Sequence, residues 1–276
     1  MTTNTTLTYI DIINDDIFFS ISLYLDFKNI IMLIRNFNKS KNLLYFIVNN
    51  LQQYIYLEDI YKYVDLYKYI KKIKIKELVD WNIFLGIKKK FKNVNSISIK
   101  NINFNENIDS LSNLKLEKID IVSEIFNQSI KYDNFPYLKK LNIISCDFNS
   151  NVDNLPKSLI DLSIFSNKFN KDINNLPETL KSLYVNSIKY NRDIYNLPKN
   201  LIVLDLWLFN KIRILLNDNL KFCKIDNLNS VEFINNKIPS NILYFACVTK
   251  TQFIQISNTK KIDNNIFKSY LNILSE

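Results

Sequence analysis

The chain has 276 residues and is 47% apolar, enough to bury a sizeable core, and it holds no run of about 18 apolar residues that would span a membrane. It has no histidine and a single glycine, Gly86. These absences remove histidine-activated nucleophiles, the commonest general base and histidine-containing metal sites, and they leave no glycine-rich phosphate loop or dinucleotide fingerprint to be written. Neighbouring acids such as Asp15-Asp16 and Glu58-Asp59 read as solvated or helix-start charges rather than a catalytic pair. No catalysis, cofactor or metal is expected.

A formal charge of +9 raises nucleic acid as a partner. The composition argues against it. The chain is rich in Lys, Asn, Ile, Phe and Tyr and poor in arginine, whereas base readout and bidentate phosphate contacts favour arginine. The opening Met1-Thr2-Thr3-Asn4-Thr5-Thr6 lacks the basic flank and apolar stretch of a secretory signal. Cys146, Cys223 and Cys247 are odd in number and far apart, with no metal-type pairing, and read as structural thiols. A cytoplasmic location is expected, with the nucleus as the alternative and no membrane as partner.

Residues 1–48 read as helices. Asp15-Asp16 opens one with Ile17, Ile21 and Leu25 on a face, and Asp26 opens a second through Ile30, Leu33, Ile34 and Phe37. Residues 38–69 read as further helices. Within 49–93 an imperfect first repeat is suggested by Ile70, Ile73 and Ile75, and two lysine runs follow, Lys71-Lys72-x-Lys74-x-Lys76 and Lys88-Lys89-Lys90-x-Lys92. Such runs are solvated faces by default.

Over 94–252 a unit of 19 to 22 residues recurs, clearest as Phe148-Asn149 to Leu155-Pro156, Phe169-Asn170 to Leu176-Pro177 and Tyr190-Asn191 to Leu197-Pro198. Between these landmarks runs Leu159-x-x-Leu162-x-Ile164-x-x-Asn167-x-Phe169, the spacing of a leucine-rich repeat, and the same skeleton lies on Val94/Ile97/Ile99, Leu116/Ile119/Ile121, Leu138/Leu141/Ile143, Leu180/Leu183/Val185 and Leu201/Leu204/Leu206. Weaker copies follow at Leu220/Cys223/Ile225 and Ile242/Phe245/Cys247. Each unit predicts one short strand and one return segment, and stacked units share the core that none could bury alone. The Leu-Pro pair fits the return, Phe148 and Phe169 the inside of the turn, and Asn149 and Asn170 are placed to bond turn backbone. After Lys250 the spacing of Ile262, Ile266, Phe267, Tyr270, Leu271 and Leu274 predicts a helical cap over 253–276.

Two resemblances follow from these residues. The Phe-Asn-x-x-Ile/Val-x-x-Leu-Pro-x-x-Leu-x-x-Leu-x-Ile/Val/Leu pattern, over roughly 94–250, resembles the FNIP repeat, a leucine-rich-like family typical of social amoebae and of large viruses that infect amoebae. The stretch from Ile13-Asn14-Asp15-Asp16-Ile17 through Tyr24-Leu25-Asp26-Phe27-Lys28-Asn29-Ile30 to Leu33 and Phe37 is similar to an F-box, with Ile13-Asn14 where that family usually has Leu-Pro and Phe37 where it often has Trp. The F-box likeness implies a three-helix domain that docks the Skp adaptor of a cullin-RING ubiquitin ligase. Its small core and adaptor contact would be drawn from Ile13, Ile17, Ile21, Leu25, Phe27, Ile30 and Leu33. The expected architecture is thus an α+β repeat, with a helical F-box-like region, a leucine-rich-like solenoid bearing a parallel sheet on its concave face, and a helical cap.

The repeat also locates a binding face. The position after the third apolar residue reads Lys100, Val122, Ile144, Phe165, Asn186, Trp207, Asp226 and Val248 down the stack, and the column before it reads Ser98, Asp120, Asn142, Ser163, Tyr184, Asp205, Lys224 and Ala246. An apolar and aromatic stripe, Val122, Ile144, Phe165, Tyr184 and Trp207, beside polar residues has the composition of a protein-binding hot spot. The expected function is substrate recognition for a Skp-type ligase, the helices holding the adaptor and the stripe a target protein. The alternatives are a plain interaction scaffold and, less favoured, a basic nucleic-acid binder.

Overall fold

A computed structural model of the chain describes residues 15–36, 41–51, 53–61, 63–226, 231–234, 242–248 and 253–256. Contacts divide the chain into two compact units, Met1–Asn101 with Asn113–Leu116, and Ile102–Ser112 with Glu117–Glu276.

The first unit begins with three short helices, α1 (Asp15–Ser22), α2 (Phe27–Asn36) and α3 (Lys41–Asn50). Asp26 caps α2, its carboxylate accepting the Asn29 N–H at 2.8 Å, the third helical donor that no turn of the helix can serve. Phe27, Ile30, Ile31 and Ile34 then bury one stripe of α2, and Leu43, Ile47 and Val48 do the same for α3. Beyond α3 come β1 (Ile55–Tyr56), α4 (Leu57–Ile60), β2 (Lys72–Ile75), α5 (Leu78–Ile87) and β3 (Ser96–Lys100).

Strands β1, β2 and β3 form a parallel ladder, with Ile55 opposite Ile73 and Ile73 opposite Ile97. Residues 38–69, read as helical throughout, therefore contain a strand. In Tyr54-Ile55-Tyr56 a single buried apolar residue alternates with half-buried aromatics, the period of a strand in residue types that favour one. The Ile70/Ile73/Ile75 triplet is the approach to β2 and its two buried residues. Helix α5 starts with a reciprocal cap between Glu77 and Asp80 and buries Trp81 and Phe84. Phe91 stacks on Tyr67 at 4.4 Å and tilts against Phe84 at 5.5 Å.

The second unit is a leucine-rich-repeat-like coil. Its strands are β4 (Lys118–Val122), β5 (Lys140–Ile144), β6 (Asp161–Phe165), β7 (Ser182–Ser187), β8 (Val203–Leu208), β9 (Ile212–Ile214), β10 (Phe222–Asp226), β11 (Val231–Phe233), β12 (Tyr244–Val248) and β13 (Phe253–Ile256). β4, β5, β6, β7, β8, β10 and β12 pair in parallel in that order, one per coil. Leu141, Leu162, Leu183 and Leu204 face inward in one column and Ile143, Ile164, Val185 and Leu206 in the next, all buried.

The Phe-Asn pair has a physical meaning in each coil. Phe104, Phe126, Phe148, Phe169 and Tyr190 stack along the inside of the turns, neighbouring ring centroids 5.9 to 6.1 Å apart. The asparagine that follows each ring accepts, through its side-chain oxygen, the backbone N–H of the equivalent asparagine one coil on: Asn105 from Asn127 at 2.9 Å, Asn127 from Asn149 at 2.7 Å, Asn149 from Asn170 at 2.9 Å and Asn170 from Asn191 at 3.1 Å. A parallel row of buried serines donates to the preceding ring residue's carbonyl: Ser123 to Phe104, Ser145 to Phe126, Ser166 to Phe148 and Ser187 to Phe169, at 2.7 to 2.9 Å. The inward polar position is Ser166 and not its neighbour Asn167, and Ser145 and not Cys146, which was read as a structural thiol and is exposed.

The Leu-Pro pair closes the return segment, where Pro156, Pro177 and Pro198 each accept a hydrogen bond at 3.0 Å from the leucine three residues on, Leu159, Leu180 and Leu201. Where the motif decays after Phe209, the back of the coil becomes a small parallel sheet of β9 and β11, whose Ile212-Arg213-Ile214 alternates buried and exposed. After the last repeat strand, β13 runs antiparallel to β12, so the segment expected as a helical cap opens with a strand. The helix read over Ile262 to Leu274 lies outside the described residues.

The ladder separates two hydroxyl substitutions. Ser166→Ala deprives the buried Phe148 carbonyl of its donor and is expected to cost about 1–3 kcal/mol. Tyr190→Phe is expected to be neutral or stabilising, because the Tyr190 hydroxyl is buried with no hydrogen-bond partner among the described residues. Urea denaturation of the two variants beside the wild type measures both.

Candidate functional site

Strand pairing in the second unit aligns the outward residues as well as the inward ones. Val122 lies opposite Ile144, Ile144 opposite Phe165, Phe165 opposite Asn186 and Asn186 opposite Trp207. Each is the last residue of its ladder to point outward, and Ile144, Phe165 and Trp207 remain 40, 39 and 40% exposed. Val122 and Asn186 are half-buried. The adjoining column, Asp120, Asn142, Ser163, Tyr184, Asp205 and Lys224, is polar except for Tyr184. Tyr184 is half-buried, and its phenol pKa is raised by that burial, with the Asp161 and Asp205 carboxylates adding to it. The Lys224 ammonium sits 4.3 Å from the centre of the Trp207 ring, a cation–π contact that leaves the indole its other face.

All five expected target-binding residues therefore lie on the outward strand face, four in one column and Tyr184 in the next. Three further apolar residues were missed. Ile102, Ile188 and Phe209 stand two positions beyond Lys100, Asn186 and Trp207 and are 61, 45 and 59% exposed, so the stripe continues past the strand ends. Reading the array two columns further would have found them, since Glu124, Cys146 and Asn167 occupy the same place in the intervening coils. Ile102, Val122, Glu124, Ile144, Cys146 and Phe165 are among the residues that line an open groove of about 390 Å³.

In the first unit the structure divides the candidate adaptor residues. Phe27 and Ile30 are core, Leu25 and Leu33 are half-buried, and Ile21 is exposed. Ile17 lies on α1, and Ile13 lies outside the described residues. Exposed apolar side chains that the pattern did not single out are Leu23, Tyr24, Met32 and Phe46, which gather on the helices and the turn between α1 and α2. An amphipathic period gives a stripe but not its boundary, which explains why both sides of the stripe were grouped together.

The strongest electrostatic cluster lies on the return side of the second unit. The Asp193 carboxylate accepts the Tyr195 hydroxyl at 2.6 Å, the Arg213 backbone N–H at 2.7 Å and the Arg213 guanidinium at 2.7 and 2.9 Å, which together hold its pKa down at about 2. It is a clasp between coils, joining the Asp193 turn to β9. Among the described residues no group of three His, Cys, Asp or Glu side chains converges as a metal site would require. No helix among them is long and apolar enough to cross a membrane.

No family model matches the chain, and no curated protein does. Among solved structures it is similar to the crystal structure of CroV588, described as a novel circular LRR protein, at 17% identity and a TM-score of 0.33. The likeness covers 71% of this chain and 38% of that one.

The Asp193 clasp makes a pH prediction. The folded pKa lies below the ordinary carboxylate value of 3.8, so the clasp contributes its full stability above pH 4 and loses it as pH falls through about 2. Wild type is expected to resist urea better than Asp193→Asn at pH 6, and the difference between their midpoints to narrow sharply between pH 4 and pH 2.

Proposed function

We propose that this chain is a non-catalytic recognition subunit of a Skp-type cullin-RING ubiquitin ligase, whose outward repeat face captures a target protein and whose N-terminal helices hold the adaptor. The observation that carries the recognition role is the exposed column Ile144, Phe165 and Trp207, extended by Ile188 and Phe209. Large apolar groups held in register on a rigid ladder lose little conformational freedom on binding, and a partner that covers them removes apolar area from water. Polar neighbours such as Asn142 and Ser163 supply the rim expected of a protein interface.

The ligase role rests on the F-box likeness of the first helices and is supported by the exposure of Ile21, Met32 and Phe46 on them. Side chains of this kind suit a helix-face contact with another protein.

The test is a pull-down of the full chain by a purified Skp adaptor. Ile21→Asp with Met32→Asp is expected to abolish capture while leaving the circular-dichroism spectrum unchanged, because both side chains are exposed. Ile30→Asp is expected to unfold the helices, since Ile30 is wholly buried. No capture of the folded wild type would leave an interaction scaffold. For the repeat face, Phe165→Ala and Trp207→Ala are each expected to weaken target binding by about ten-fold or more, read as loss of proteins cross-linked to the chain in cell extract.

A further inference from the structure

The two lysine runs of the sequence separate when the chain folds. Lys88, Lys89 and Lys90 form a single 3-10 turn after α5. Lys72 and Lys74 lie on β2, where Ile73 and Ile75 point into the core, so the lysines project from the opposite side of the first unit's sheet, with Lys76 next in the same alternation. Across the ladder Lys72 lies opposite Ser96 and Lys74 opposite Ser98, both serines buried. Lys100 ends β3, exposed.

Tyr56, opposite Lys74 on β1, organises this comb. Its hydroxyl accepts a hydrogen bond from the Lys74 ammonium at 3.1 Å, and the ring has Lys76 4.0 Å and Lys74 4.8 Å from its centre. The quadrupole of one ring thus offsets part of the repulsion between two ammonium groups. An ion pair from Lys76 to Glu58 is loose, at 3.9 Å with both side chains about half exposed. The Tyr56 phenol feels the resulting field. Its pKa is lowered, first by the Lys74 hydrogen bond, then by the charges of Lys74, Lys76 and Lys100.

We infer that the outward face of β1, β2 and β3 is a docking surface for an acidic, extended protein segment, with Lys74, Lys76 and Lys100 receiving its carboxylates. Charge complementarity names the occupant's sign, and spacing names its form. Alternate residues along a strand stand about 6.5–7 Å apart, so an extended segment with Asp or Glu at every second position presents carboxylates at the interval of Lys74 and Lys76. Nucleic acid fits less well. Single-strand binding uses aromatic rings open to stacking bases, and here the Tyr56 ring already carries two ammonium groups. Lysine ammoniums are point charges suited to single carboxylates, without the planar fork that reads phosphates and bases in pairs.

The surface is independent of the ligase reading, and its test uses the full chain with neither adaptor nor target. A fluorescent peptide of alternating Glu and Thr is titrated by anisotropy at about 50 mM and about 300 mM salt, beside the same peptide with Gln for Glu and a fluorescent oligo-dT. Expected are binding of the Glu peptide alone, weakening with salt, and a loss of about ten-fold in Lys74→Gln/Lys76→Gln that the triple change Lys88→Gln/Lys89→Gln/Lys90→Gln does not reproduce. The inference is overturned if the Glu peptide does not bind, if the two sets of variants weaken it equally, or if oligo-dT binds more tightly than the peptide.

Discussion

A coil that reverses direction has to bury backbone groups that no strand can pair, and the structure of the second unit turns on how it meets that demand. Unpaired buried amides and carbonyls cost about as much as lost hydrogen bonds, several times over in an array of turns. Here the partners come from the neighbouring coil. Asparagine oxygens accept its N–H groups, serine hydroxyls serve its carbonyls, and stacked rings fill the space between them. The three devices act together because each ring stands eight residues after the first residue of its strand: Lys118 and Phe126, Lys140 and Phe148, Asp161 and Phe169, Ser182 and Tyr190. Variation in repeat length is confined to the return segment, where the two longer early coils carry 3-10 turns at Ile108–Leu111 and Tyr132–Asn134.

That constraint has a consequence on the opposite side of the sheet. The asparagine and serine bonds form only when successive coils are in register, so register is set from within the turns. Outward residues are aligned with them and in places add contacts of their own between coils, as Lys140 does to Asp161 and Lys224 to Trp207. Val122, Ile144, Phe165 and Asn186 share a column while Asn127, Asn149 and Asn170 hold their coils in step, and Asn210, donating to the Ile188 and Tyr190 carbonyls, ties in the coil of Trp207. Stability summed over neighbouring coils leaves the outward positions open to whatever a partner requires. An aromatic residue can sit there, two-fifths exposed, without being needed for the fold.

The same logic explains what could be read from the sequence and what could not. Inward columns were legible because leucine and isoleucine recur at a fixed spacing that only a buried ladder requires, and the outward columns followed from period two. The serine row was not legible. Ser166 and Asn167 are adjacent polar residues, and hydrophobic periodicity says nothing about which of them turns inward. β1 was hidden because one isoleucine between two tyrosines satisfies a helical stripe as readily as a strand. β9 and β11 arise where Phe-Asn and Leu-Pro have gone, and Ile212-Arg213-Ile214 is too short to distinguish from a decayed repeat until Val231 pairs with it. In α2 the period identified an apolar stripe, while the division between buried Ile30 and half-buried Leu33 depends on what packs against the helix, such as Tyr63 beside Phe27.

Each unit presents a sheet face of its own chemistry, and the two kinds of face obey different physics. Lysines 74, 76 and 100 attract over roughly the Debye length, about 8–10 Å at ordinary ionic strength, so the contribution they would make to docking lies mainly in the rate of encounter and fades with salt. The Phe165 and Trp207 stripe has no such reach. It acts only after contact, through apolar area removed from water, and its contribution lies in how slowly a complex comes apart. Lys224 over Trp207 is the one place on the described apolar stripe where both kinds of interaction meet, since the ammonium that covers one face of the indole also places a positive charge beside the polar column of Asp205 and Tyr184. A partner seated on Trp207 therefore meets a mixed contact, with the apolar indole and the ammonium that stands over its ring side by side.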